Sequence, residues 1–136
     1  MKPKLFYILI LTVLAAFSAC EKTEEVSAEA LVGTWSVLEE NGNLYEVTIS
    51  VDPSANGRIR IANFLNLAQD PGTSIQDYML LVKVEGSRLV VLPQQVDVVE
   101  ILNSSGVVNS KNQFRLDYNY NVNGSLNSAI AYFTRN

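Results

Sequence analysis

Leu44 to Val51 alternates without a break. Tyr45, Val47, Ile49 and Val51 fall on one side, and Glu46, Thr48 and Ser50 on the other. A period of two is what a strand shows when one face is buried and the other is wet. Arg58–Ile61 and Gln113–Tyr120 repeat the alternation; Thr34–Glu39, Gln76–Val84 (with Met79 and Leu81 opposite Tyr78, Leu80, Val82 and Val84, so both faces are partly covered), Arg88–Leu92, Val96–Leu102 and Asn127–Arg135 also read as strands, giving about eight short strands. Turn chemistry separates them: Asn41-Gly42, Asp52-Pro53 to Gly57, Asp70-Pro71-Gly72, Glu85-Gly86, a loop at Asn103-Ser104-Ser105-Gly106, and Asn121 to Ser125. Pro93 ends the strand before it or places it on an edge. Short strands joined by hairpin-type turns predict an all-β antiparallel barrel of the up-and-down kind, or a sandwich. Ser27–Val32 allows a helical turn or two, with Ser27 as N-cap and Gly33 as stop. Asn63–Leu67 breaks the alternation and reads as a short helix or a folded loop capping one end.

The N-terminus is built differently. Lys2 and Lys4 precede an apolar run, small residues follow, and Cys20 is the only cysteine in the chain. The run from Leu5 to Ala19 is shorter than the roughly 20 residues a membrane-spanning helix needs. An ordinary secretory signal would also place small residues near position 19. The lone cysteine favours a third reading, because Ser18-Ala19-Cys20 resembles a lipobox, although Phe17 stands where leucine is usual. That resemblance implies a signal peptide over residues 1–19, cleavage before Cys20, and a diacylglycerol on its sulfur that anchors the chain to a membrane. Residues 20–30 then form the lipidated cysteine and a charged tether, and residues 31–136 the barrel domain. Glu21-Lys22-Thr23-Glu24-Glu25 resembles the surface-export signal of Bacteroidetes lipoproteins, which implies an outer-membrane lipoprotein of the cell envelope displayed on the surface. As a plain solvated tether, the same stretch would suit the periplasmic leaflet equally.

Loss of residues 1–19 removes Lys2 and Lys4 and no acid, so ten basic residues become eight against 14 acidic ones, a net charge of −6. With no basic run, nucleic acid is not an expected partner. The sequence contains no histidine, and its single cysteine is committed to lipid. Imidazole or thiolate metal sites, Ser-His-Asp triads and Cys-His nucleophiles are therefore excluded. No metal or cofactor is expected.

Gly33-Thr34-Trp35 resembles the Gly-x-Trp opening of the lipocalin and fatty-acid-binding (calycin) group. That group carries a late basic residue packed across the tryptophan, a role the resemblance gives to Arg135. In a closed barrel the first and last strands meet, and a guanidinium over an indole contributes about 0.5–2 kcal/mol. The domain as a whole resembles the small calycin-like lipoproteins of Bacteroidetes. The residues that carry this are Tyr45-Glu46-Val47-Thr48-Ile49, Ile61-Ala62-Asn63-Phe64, Leu92-Pro93-Gln94-Gln95, the Tyr-rich Phe114–Tyr120 and the closing Ala131–Arg135. A shared fold does not by itself carry an activity.

Candidate sites follow. Tyr45, Val47, Ile49, Tyr78, Leu80, Val82, Phe114, Leu116 and Tyr118 lie in the inward phase. They either line a cavity for a small apolar ligand, gated by Phe64–Leu67, or fill the barrel themselves. Tyr118, Tyr120 and Tyr132 with Asn119, Asn121 and Asn123 would suit sugar stacking, but also serve as ordinary strand and turn residues. Asp52, Asp77, Asp97, Glu100 and Asp117 show no spacing that selects an acid–base pair. Met79, Leu81 and Val90 are candidates for an exposed apolar patch. The expected function is non-catalytic binding or interaction at the envelope, with an envelope protein or a small apolar ligand as partner, and not an enzyme.

Overall fold

The computed structural model describes residues 22–68, 74 and 78–136. Cys20 with its lipobox-like flank, the Asp70-Pro71-Gly72 turn and the expected strand start at Gln76 lie outside the described residues. Among the described residues ten strands form: β1 (Gly33–Glu39), β2 (Leu44–Val51), β3 (Arg58–Ala62), β4 (Met79–Glu85), β5 (Arg88–Val91), β6 (Gln94–Val96), β7 (Val99–Ile101), β8 (Ser104–Ser110), β9 (Gln113–Val122) and β10 (Ser125–Arg135). All pairings are antiparallel. Eight strands close a barrel in the order β1-β2-β3-β4-β5-β8-β9-β10, with β10 returning to β1. β6 and β7 form an extra hairpin on the far part of β9, where Ile101 pairs with Tyr120 and Val99 with Val122.

Two strand expectations need correction. Asn103–Gly106 is not a loop, because β8 starts at Ser104 and pairs with both β5 and β9. Gly106 is required there: a Cβ would sit 2.2 Å from the Arg115 carbonyl oxygen and 2.6 Å from Leu116 Cδ2. A glycine inside a strand marks such a close approach of backbones. Val96–Leu102 is not one strand but the β6–β7 hairpin. It folds back at Asp97, whose φ of 52° is a left-handed conformation that Asp tolerates better than most residues.

Strand direction gives the barrel two distinct ends. The tether end gathers the start of β1, the β2–β3 loop, the β4–β5 and β8–β9 turns and the C-terminus. The distal end gathers the β1–β2 turn, the β3–β4 connection, the β6–β7 hairpin and the β9–β10 turn. The stretch expected as a free charged tether lies on the barrel from residue 22 onward. Glu24 N–H donates to the Val108 carbonyl at 3.0 Å, Val26 N–H to Gly86 at 3.1 Å, and Asn109 Nδ2 to Lys22 at 3.0 Å. A 3₁₀ turn over Ala28–Leu31 then buries Ala28 and Leu31 as a plug, without a side-chain cap from Ser27. No helix among the described residues is long and apolar enough to cross a membrane.

Candidate functional site

At the tether end, Trp35 and Arg135 are cross-strand partners of β1 and β10. The Arg135 guanidinium carbon lies 4.5 Å from the centroid of the Trp35 ring, and Trp35 Nε1 donates to the Leu31 carbonyl at 2.9 Å. Arg135 donates to the carbonyls of Val32, Ala30 and Lys111, so it ties the plug and the β8–β9 turn to the last strand. Gly33 makes room for it, since a Cβ there would stand 2.8 Å from Arg135 Nη1 at a φ of +144°. Every polar group in this cluster has a partner from the chain. The cluster joins the first strand, the last strand and the plug.

The inward residues proposed as a cavity lining come together, but they fill the barrel. Leu80, Val82, Phe114 and Leu116 are 0 % exposed, Ile49 and Tyr118 are 1 %, and Val47 is 2 %. A void large enough for water would leave part of its lining accessible. Phe114 instead stacks on Phe133 at 4.3 Å and meets Trp35 edge-on at 4.8 Å. Tyr78 sits at the rim, half-buried.

The distal end is different in kind. Phe64 is inserted over the core and packs edge-on against Tyr118 at 5.2 Å. A 3₁₀ turn spans Phe64–Asn66, but Asn63, Leu65 and Asn66 all have positive φ, so it is a left-handed folded segment rather than a regular helix. For Leu65 that conformation costs about 1–2 kcal/mol. Asn63 holds the loop by donating to the Glu46 carbonyl at 2.9 Å and accepting from Ala68 N–H at 3.1 Å.

Beneath the loop lies a buried carboxylate that stands in no recognisable motif. Glu39 is 5 % exposed, and its Oε1 accepts from both the Tyr45 hydroxyl at 2.9 Å and the Tyr118 hydroxyl at 3.1 Å. Among the described residues, no lysine or arginine pairs with it. Burial, then the nearby Glu39 charge, pushes the Tyr45 hydroxyl well above the usual tyrosine range. For Tyr118, burial is again the main cause, followed by Tyr45 and Glu39. One signal in the sequence marks Glu39: it is in phase with Trp35 and Val37, so a charge occupies an inward position.

β1 ends at Glu39 while β9 and β10 continue, which leaves a notch of about 310 Å³ lined by Glu39, Glu40, Asn41, Tyr120, Ala129 and Ile130 among others. A shallower depression of about 230 Å³ adjoins it on the outer face, between Glu40 and Asn119.

The other candidates are dispersed or neutralised. Asp52 is buried at the tether end, where Arg58 Nε lies 2.9 Å from one oxygen and Arg60 Nη2 3.0 Å from the other. Hydrogen bonds from the Ser54 hydroxyl and amide, then Arg60, hold its carboxyl down at about 2. Asp117 pairs with Arg115. Asp97 and Glu100 belong to the β6–β7 hairpin, and Asp77 lies outside the described residues. Met79, Leu81 and Val90 are half-buried, and Gln94 bonds to both backbone groups of Leu81. The exposed apolar neighbours are instead Leu38, Leu44 and Tyr132, adjacent across β2, β1 and β10. Among the described residues, no three His, Cys, Asp or Glu side chains gather as metal ligands.

No family model matches this sequence. No curated protein matches it either. Solved structures do. A protein of unknown function from the DUF3598 family of Nostoc punctiforme is 11% identical with a TM-score of 0.52, over 85% of this chain and 51% of that one. The chain thus spans about half the length of that protein. A redesigned β-barrel is 12% identical over 85% of this chain and 99% of that one, with a TM-score of 0.49. The structure of EF1p2_mFAP2b bound to DFHBI is 16% identical over 81% and 97%, also at 0.49. The likeness is one of fold. The closed barrel implied by the calycin resemblance is present, and the likeness says nothing of ligand or location.

Proposed function

We propose that this chain is an outer-membrane lipoprotein, anchored through lipid on Cys20, that serves as a non-catalytic binding module at the cell envelope. The packed interior carries the reading. With Trp35, Phe114, Leu116 and Phe133 at 0 % exposure, recognition falls to the surface and the distal notch rather than the barrel lumen. Anchoring is supported by the residues before Cys20 and by the position of the arm. Lys22 already bonds to Asn109, and two residues can span at most about 7 Å, so Cys20 is tied close to this end. A lipid there would hold the tether end against the bilayer and turn the notch away from it. The acidic stretch Glu21–Glu25 supports surface display.

The intact mass of the protein extracted from its own membranes tests the anchor. It should lack residues 1–19 and gain a diacylglycerol, and Cys20→Ser should move the protein to the soluble fraction. A full-length chain recovered without lipid would overturn the reading.

A carrier of a small apolar ligand is the second reading. It is favoured by the left-handed loop at Asn63–Asn66, because the distal end depends on this strained segment for its cover. If the loop lifted Phe64 out, Tyr118 and the core beneath would be open to a ligand.

A further inference from the structure

We infer that the distal notch binds a small organic ammonium ion on the Glu39 carboxylate. This deepens the proposed binding role and rests on it. The first observation is an incomplete charge. Glu39 is nine-tenths buried and lines the notch, yet its two hydrogen bonds converge on one oxygen and, among the described residues, no cation reaches it. A carboxylate taken out of water is strongly unfavourable unless it is paired as well as hydrogen-bonded. Two neutral hydroxyls supply hydrogen bonds but no counter-charge.

The second observation is how charge is distributed. Lys22, Arg58, Lys83, Arg88, Lys111 and Arg135 lie at or towards the tether end, with Arg60 at the middle of β3 and Arg115 in the tether-side half of β9. The distal end carries Glu39, Glu40, Asp97 and Glu100, and no lysine or arginine among the described residues. A recess of one sign with low-dielectric walls concentrates ions of the other sign.

The third is shape. About 310 Å³ is at the small end of ligand pockets. The Tyr120 ring, Ala129 and Ile130 offer an apolar wall beside the two carboxylates. An alkyl or aryl amine fits this combination: its N–H groups donate to the unused oxygen of Glu39 and to Glu40, and its carbon skeleton covers the wall. A neutral apolar ligand would bury Glu39 further and leave it unpaired. A bare metal ion would find too few ligands.

The test is calorimetric titration of the full-length protein in detergent micelles at pH 7 with phenethylammonium, and with 2-phenylethanol as its neutral counterpart. The amine should bind one-to-one, at least tenfold more tightly than the alcohol. Glu39→Gln should lower amine affinity at least tenfold without lowering the melting temperature. Glu40→Gln, on the exposed side of the notch, should weaken it several-fold and serves if the first variant does not fold. Equal affinity for amine and alcohol, or no amine binding by folded wild-type protein, overturns the inference. The lipid on Cys20 is read separately by intact mass. Failed titration of a lipidated protein therefore overturns this inference alone, and saturable amine binding by an unlipidated protein overturns only the anchor.

Discussion

The two ends of this barrel are finished differently. At the tether end Arg135 covers Trp35, meets the carbonyls of Val32, Ala30 and Lys111, and holds the Ala28–Leu31 plug in place. Asp52 is matched there by Arg58 and Arg60. At the distal end Glu39 has hydroxyl partners and, among the described residues, no cation, and the cover above it runs through three left-handed residues. The contrast separates what holds the barrel shut from what is left for recognition. A charge satisfied within the chain adds to stability, whereas a buried charge without a counter-ion costs stability and is a natural place to look for a ligand.

The largest expected break in this comparison is Trp35→Ala. It removes the fully buried indole on which Phe114 and Arg135 both pack, and should cost about 4 kcal/mol in urea unfolding. Amine binding by whatever protein stays folded should be unchanged, because the notch lies at the opposite end. Arg135→Ala should lower stability by about 1.5 kcal/mol through the lost cation–π contact and hydrogen bonds. Unchanged melting would remove Arg135 from its closing role.

Glu39→Gln sharpens the contrast by acting the other way. The amide oxygen can still accept from Tyr45 and Tyr118 while the buried charge disappears, so unfolding should shift by no more than about 0.5 kcal/mol. A large loss of stability would make Glu39 a structural group like those at the tether end. The pH dependence of Asp52 carries the comparison back to the tether end. Its carboxyl is lowered from 3.8 to about 2, so its contribution is present above 3.8 and is lost as the pH falls through that window. Asp52→Asn should flatten the acid limb of the stability curve between those values, and an unaltered limb in acid-denaturation profiles would contradict the assignment.

Much of this architecture was legible in the residues. The unbroken alternation of Leu44–Val51 and Gln113–Tyr120 reflects strands buried on one face; the first occurs as read, and the second runs on to Val122, two residues into the stretch read as a turn. Gly33-Thr34-Trp35 and Arg135 stand far apart in sequence, yet their chemistry anticipates the contact that barrel closure creates. β8 was not legible, because Ser104, Ser105 and Asn109 offer little apolar rhythm and Gly106 reads as a turn. Its glycine is set by the backbone opposite, which no local pattern contains. The β6–β7 turn has no glycine to announce it. The notch escaped for a similar reason: Glu39 and Tyr118 meet across 79 positions, and beside Glu40 and the Asn41-Gly42 turn, Glu39 reads as one more surface charge.

The most direct test of a filled barrel with recognition outside it is native mass spectrometry of the full-length protein after incubation with lipid extract from its own membrane. The packed interior predicts the mass of the protein with its covalent lipid alone. A stoichiometric lipid adduct that leaves on denaturation would contradict the account and make the barrel a carrier.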